Sequence, residues 1–377
     1  MRVLHLFSNC KWTGPAEPAL NLCVSLRKLG IATDFACAPD AGKSENMVVS
    51  SARARGVEPI LQFHLYKHPD LFHTLADRRA LEQYLRAERY DLVHCHLLND
   101  HNVATRPTRR LGIPLVRSSY EGAGFPVYWR YRSLLRKCDL LLEPSQLALE
   151  HDADHFGFPR DHMHVVPGAI DTARFDPARP LPHARERWGI APDAFVFGIV
   201  ARMQTHRNYE VLFDALSEVA RSAPQSHLVV VGRGTHQEAV GFRAVEERGL
   251  RERVTFTGYV QGDDYVAALN AFDAGIFMVP GSDGTCRAVR EIMAMGKPMI
   301  AARRGMLPEI VPHEMAGLIF DGSTAGLVSA MQRILTNADE REAFAQASGE
   351  LARTRYSLEA QARDVLAQYE SMLARAK

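Results

Sequence analysis

The sequence predicts an α/β protein of two facing doubly wound domains with a cleft between them. Three observations point there. Short apolar runs alternate with amphipathic stretches along nearly the whole chain, the βαβ rhythm of a parallel sheet. A proline-rich segment, residues 176–192, interrupts that rhythm near the middle. The stretch 278–302, MVPGSDGTCRAVREIMAMGKPMIAA, has the strand–loop–helix–strand form of a phosphate site. The expected layout is a first domain over 1–175, a linker over 176–192, a second domain over 193–356 and a terminal helix over 357–377 that packs back on the first domain.

The elements follow in order. Residues 3–7 form a buried strand, and KWTGPAE at 11–17 is a tight loop centred on Gly14. Pro15 suits a first helical turn, Leu22, Leu26 and Leu29 share a face, and Gly30 stops the helix. Residues 31–38 are the next strand, 44–56 a helix, and 71–88 a longer helix with one polar side. DLVHCH at 91–96 is a strand whose last residue, His96, lies at the ligand edge. Strands at 113–118, 139–143 and 164–166 complete the first sheet, with a glycine-rich turn at 120–126. In the second half, strands at 195–200, 227–231, 254–257, 273–278, 299–302 and 317–320 alternate with helices at 207–222, 238–248, 263–271 and from Cys286 to Gly296. Residues 325–335, 340–353 and 358–374 close the chain as helices.

Composition bounds the function. A length of 377 residues, 46% hydrophobic and 24% charged, is that of a folded protein of two ordinary domains. A formal net charge of +1 argues against bulk nucleic-acid binding. The six cysteines are scattered without CxxC spacing, so a reducing, cytoplasmic setting is expected rather than a zinc site or a disulfide framework. No apolar run approaches the roughly 20 residues of a membrane span. GPAE after the first strand is not GxGxxG, which removes the fingerprint of a nicotinamide oxidoreductase.

In the central stretch, unpaired backbone N–H groups and a helix dipole face an anion. Asp283 and Glu291 bracket that helix start with seven residues between them. A phosphate pocket does not need two carboxylates; the hydroxyls of a sugar and a ribose would use them.

At these residues the chain resembles the GT-B glycosyltransferases, and most of all the retaining group called glycosyltransferase family 4. DGTCRAVREIMAMGKPMIAA at 283–302 is similar to that family's E-G-F-G-x-x-x-x-E-A-M-A-x-G-x-P-V-V-A. VPGAID at 166–171 with Arg174-Phe175 resembles V-P-N-G-V-D-x-x-x-F, and Ala201-Arg202 with Arg207 resembles G-R-x-x-x-x-K. Gly232-Arg233-Gly234 matches a G-x-G turn, Gly258-Tyr259-Val260 a base-contacting turn, and TGPAE at 13–17 the first-domain loop. The family carries Glu where Asp283 stands, Gly where Cys286 stands, and in many members His about where Tyr120 falls.

The resemblance implies two Rossmann-like domains, the first on the acceptor side and the second on the nucleotide-sugar side, closing to exclude water. It implies that Arg202 and Arg207 hold the diphosphate, Gly232 and Gly234 shape the turn, and Tyr259 and Val260 meet the base through backbone atoms. Gly14, Gly284, Thr285, Cys286, Arg287 and Ala288 line the phosphates and sugar, Glu291 takes the ribose, and Asp283 faces the anomeric carbon, with Tyr120, Glu121 or His96 orienting the sugar in place of the family's histidine. No cofactor or metal is implied. The donor is a UDP-, GDP- or ADP-linked sugar, and the acceptor a glycan or lipid-linked hydroxyl in cell-surface polysaccharide, lipopolysaccharide or glycolipid synthesis. A nucleotide-sugar 2-epimerase and a catalytically weak nucleotide-sugar binder are the rival readings.

His151 and His155 sit four residues apart but lack the glutamate of HExxH, and read as a solvated face rather than a zinc site. Residues 105–137 hold eight basic residues against the single acid Glu121, and VYWRYRSLLRKC at 127–138 interleaves aromatic and basic residues. That pattern suits peripheral attachment to an anionic membrane surface; the alternative is a helix packing Trp129 and Leu134 inward.

Overall fold

The computed structural model describes residues 1–39, 46–68, 70–280 and 286–375. The chain divides into two compact units, Met1–Ala169 with Leu358–Lys377, and Ile170–Ser357. Residues 176–192 belong to the second, where Ala184 and Ile190 are buried.

The first unit holds one sheet of six strands: β1 (Arg2–Phe7), β2 (Ala32–Cys37), β3 (Leu92–Cys95), β4 (Leu115–Ser118), β5 (Leu140–Glu143) and β6 (Met163–Val165). Their order is β2-β1-β3-β4-β5-β6, all parallel. Side chains alternate across it. Leu4, Leu6, Val93 and Leu141 face one core with Leu81 and Leu85 of helix Leu71–Glu88. Val3, Leu92, Val116 and Leu140 face another with Leu22 and Leu26. The last helix, Leu358–Arg375, covers this second core with Ala362, Val365, Tyr369 and Met372. Each such burial is worth roughly 1.5–3 kcal/mol for a large apolar side chain.

The second unit holds β7 (Phe195–Val200), β8 (Ser226–Val231), β9 (Val254–Gly258), β10 (Ala274–Phe277), β11 (Met299–Ala302) and β12 (Gly317–Phe320). Their order is β12-β11-β10-β7-β8-β9, again parallel. In each sheet the strand order reverses once, between β1 and β3 and between β7 and β10, and open α/β sheets take ligands at the carboxyl ends of such strands.

Several elements differ from the sequence reading, each for a local reason. The helix expected over 44–56 is Met47–Ala54, started by Asn46, whose side chain accepts from the Val48 and Val49 N–H groups. The helix expected from residue 207 begins at Tyr209, because Thr205–Arg207 is a 3-10 turn and Asn208 is left-handed. The stretch 238–248 is not one α-helix: Glu238–Arg243 is a wider π-helical segment before Ala244–Glu247. Helix Leu98–Leu111 was missed. It is polar and carries Pro107, and its start is held by the Asp100 carboxylate accepting from Leu97 N–H at 2.9 Å rather than by a readable cap.

Candidate functional site

At the switch point of the second sheet lies a cavity of about 740 Å³. Val200 and Val231, the ends of β7 and β8, form its floor, with Phe277 of β10. Two turns leave those strands and press together. Gly232 has φ +133°, and a Cβ there would lie 2.6 Å from the Ala201 carbonyl oxygen; one on Gly234 would overlap the Met203 carbonyl. Only glycine lets the 232–234 turn reach the 201–203 turn. The Gly232 N–H donates to the Gly258 carbonyl at 3.0 Å, which brings the third turn alongside.

The cationic wall follows from those turns. Arg202 is exposed on the first of them, and Arg207 is buried on the 3-10 turn; both line the cavity. Arg207 Nη1 donates to the Val279 carbonyl at 2.8 Å. Burial lowers its pKa, yet a guanidinium keeps its charge in proteins. The opposite wall is the start of helix Arg287–Ala294, with Cys286, Arg287 and Ala288 lining the cavity. Cys286 caps that helix at φ 50° and ψ 44°, a left-handed conformation costing a non-glycine residue roughly 1–2 kcal/mol. A glycine at this position would fit the same backbone without strain. Glu291, one turn on, is buried; Tyr265 O–H donates to its Oε2 at 2.5 Å, and Arg287 Nε lies 3.5 Å from Oε1. Tyr259 is 63% exposed at the rim with the Arg233 guanidinium 5.3 Å above its ring, and Val260 lines the wall beside it. Asp283, Gly284 and Thr285 lie outside the described residues.

The first sheet's switch point is built differently. His5 of β1 and His94 of β3 are register partners, and His96 follows β3 on the same face. All three are fully buried. His5 Nδ1 lies 3.0 Å from His96 Nε2, and His96 Nδ1 lies 2.7 Å from the Tyr120 hydroxyl. His5 Nε2 has no partner among the described residues. A bare lone pair there costs less than an orphaned N–H, so His5 donates to His96 and His96 donates to Tyr120. His94 is held by Tyr369 at 2.5 Å and Ser118 at 2.8 Å. Burial pushes His5 down to about 3, and His94 and His96 well below their usual value. One nitrogen from each histidine falls within 4.8 Å of the others, a metal-sized group, but the bonds to Tyr120, Ser118 and Tyr369 already close it. Beside it Asp100 is pushed up to about 7 by burial, against the pull of Arg117 and the N–H groups of Leu97 and Ser8. Gly14 sits on the loop after β1, exposed and not in the left-handed region, and a Cβ there would meet nothing within 4 Å.

His96 and Tyr120 are thus brought together, as are the arginines, the glycine turns and the helix start in the second unit. Tyr265, Arg233, His5 and Tyr369 were missed. For His5 the signal was present: a histidine inside the apolar run VLHLF, at a position facing the core. Tyr265 has no local signal, because it reaches Glu291 from 26 residues away.

Two family models match: "Glycosyltransferase Family 4" over residues 14–174 and "Glycosyl transferases group 1" over residues 182–350. Taken together, the two matches make the chain a glycosyltransferase of the family 4 type. Among curated relatives, a D-inositol 3-phosphate glycosyltransferase of Segniliparus rotundus is 27% identical over 76% of this chain and 67% of its own. A GDP-mannose-dependent alpha-(1-6)-phosphatidylinositol monomannoside mannosyltransferase of Mycobacterium tuberculosis is 30% identical over 58% of this chain and 59% of its own. The chain therefore spans about three fifths to two thirds of these relatives' lengths. Of solved structures, Anabaena HepE in complex with UDP superimposes with a TM-score of 0.79 at 17% identity, over 98% of this chain and 100% of that one. At that identity the likeness concerns the fold, and it agrees with the GT-B architecture of this family 4 member.

Proposed function

We propose that this family 4 protein transfers a sugar from a nucleotide sugar to an acceptor hydroxyl with retention and without a required metal. The observation that carries the reading is the second unit's cavity, where two guanidiniums, a helix start and glycine turns of close backbone approach meet. Arg202 and Arg207 take the diphosphate. The N–H groups of Cys286 to Ala288 take the leaving phosphate, and Glu291 the ribose. Asp283 accepts from the donor sugar. In the step itself the acceptor oxygen bonds to the anomeric carbon as the bond to the diphosphate oxygen breaks. The acceptor proton passes to that phosphate oxygen on the same face, giving the glycoside and the nucleoside diphosphate.

HepE's complex holds UDP and the mycobacterial relative uses GDP-mannose, so both nucleotides are the first to try. Thermal-shift titration with UDP, GDP, ADP and their sugars, with and without EDTA, tests the reading. One nucleotide is expected to stabilise the protein by about 2.7 kcal/mol at a hundredfold excess over its Kd, without metal, and to lose that effect in Arg202→Ala. No shift with any of them overturns the reading. Turnover of donor without an acceptor would favour the 2-epimerase instead.

The partner side of the proposal is a glycan or lipid-linked acceptor at an anionic membrane surface. Val127, Tyr128 and Trp129 are 56%, 64% and 78% exposed beside Arg130 and Arg132, so Trp129 does not pack inward. No described helix is long and apolar enough to cross a membrane. Flotation with anionic vesicles is expected to carry the protein up, and Trp129→Ser to leave it below.

A further inference from the structure

Tyr265 stands on helix Gly262–Asn270 and lines the cavity. Its ring is held edge-on by Phe175, centroids 6.1 Å apart at 87°. Its hydroxyl lies 2.5 Å from Glu291 Oε2. An ionised carboxylate can only accept, so the phenol donates and its own oxygen keeps acceptor lone pairs. Burial and the Glu291 charge both raise the Tyr265 pKa, so the proton stays on the phenol at any working pH. The result is two acceptors of different kind side by side, a carboxylate and a phenol oxygen polarised by donating to it.

Two adjacent acceptors of this kind match a vicinal diol, whose neighbouring hydroxyls each need one. We propose that Tyr265 and Glu291 form a joint receptor for the ribose of the nucleotide, one hydroxyl donating to the Glu291 carboxylate and its neighbour to the Tyr265 oxygen. Tyr265 is then a positioning residue for Glu291 and a ribose contact in its own right. It selects ribonucleotides over deoxyribonucleotides. The proposal rests on the second unit binding a nucleotide, and it adds a residue that neither the local motif nor its spacing contains.

The test is titration calorimetry of the purified full chain with UDP and GDP and their 2′-deoxy and 3′-deoxy forms, in wild type and in Tyr265→Phe. The substitution removes one oxygen and keeps the ring against Phe175. Wild type is expected to bind the ribonucleotide about tenfold more tightly than at least one deoxy form. Tyr265→Phe is expected to weaken the ribonucleotide about fivefold and leave that deoxy form unchanged, so that discrimination collapses. A purely structural role would weaken ribo and deoxy forms alike, and that result overturns the proposal. So does unchanged discrimination in a variant whose melting temperature matches wild type. Failure of wild type to bind any nucleotide overturns the proposed function, and this inference with it; binding with unaltered discrimination removes only the role of Tyr265. If the phenylalanine variant does not fold, the wild-type preference decides instead: equal affinity for UDP, 2′-deoxy-UDP and 3′-deoxy-UDP rules out a ribose receptor.

Discussion

The two sheets place their ligand edges at equivalent points, yet build them from opposite materials. At the β7–β10 edge the walls are largely backbone and arginine charge: Gly232 and Gly234 against the 201–203 turn, the four arginines Arg202, Arg207, Arg233 and Arg287, and a helix start. At the β1–β3 edge they are buried titratable side chains: His5, His94, His96 and Asp100, closed by Tyr120 and Tyr369. The first edge is intolerant of added atoms, and it holds the hydrogen-bonded titratable pair Tyr265 and Glu291. The second should tolerate small changes of shape and respond to pH. The comparison teaches that a doubly wound sheet fixes where a ligand goes but not the chemistry that meets it.

The largest test of the contrast is acid. A histidine held below its usual pKa takes a proton only on unfolding, so its contribution is present near pH 7 and is lost as pH falls from about 6.5 toward 3. His5 and His101 are both pushed down to about 3, and His94 and His96 shift the same way. At pH 4 each of the first two withdraws about 3 kcal/mol. Asp100, raised from 3.8 to about 7, works in the opposite sense between those values, as does Glu143, pushed up by burial and Asp152. Asp152, raised by burial, joins these two carboxyls, so three groups oppose the four histidines, and the net acid loss is what the measurement reads. Hydrogen exchange corrected for intrinsic rate should show β1, β3 and β4 losing protection at pH 4 by several kcal/mol, ahead of β7 and β8. Equal loss in both units would break the comparison.

The converse test is one added methyl in the second unit. Gly234→Ala forces a Cβ into the Met203 carbonyl, and a backbone clash of this kind costs about 3 kcal/mol. Protection in β7 and β8 should fall and nucleotide binding vanish, while β1 and β3 keep their protection. Gly14→Ala, where nothing lies within 4 Å, is the control and should leave the melting temperature unchanged. Next in size is Arg207→Ala. It removes a buried guanidinium bound to the Val279 carbonyl and is expected to weaken the nucleotide about 30-fold, or about 2 kcal/mol, by calorimetry.

The same contrast explains what was legible. The second unit's site is nearly continuous in sequence: glycine turns after strands, an arginine pair five residues apart, a helix start and an acid within it. The helix start and its acid follow from the strand–loop–helix pattern, while the arginine pair and the glycine turns were named only through the resemblance to the family motifs, and Asp283, Gly284 and Thr285 fall outside the described residues. The first unit's network joins residues 5, 94, 96, 118, 120 and 369, and no spacing announces it. His96 and Tyr120 were recognisable as strand-end polar residues, but not as partners. Tyr369 arrives from the last helix, 275 residues from His94. The helix Leu98–Leu111 was illegible for a related reason: its polar sequence and Pro107 hide a segment whose order comes from Asp100 holding Leu97 and Ser8.

The smallest effect sharpens the comparison most, because it separates the two edges within one protein. Tyr120→Phe removes the acceptor of the His96 Nδ1–H and leaves that N–H without its 2.7 Å partner. The expected cost to the first unit is about 1 kcal/mol, read as a lower melting temperature. Nucleotide affinity, proposed for the second unit's cavity, should not change within twofold. A fall in turnover with nucleotide affinity and KM for the donor unchanged is the pattern of a group felt mainly in the transition state. A loss of nucleotide affinity equal to the loss of turnover would place Tyr120 in ground-state binding and erase the division of labour between the two edges.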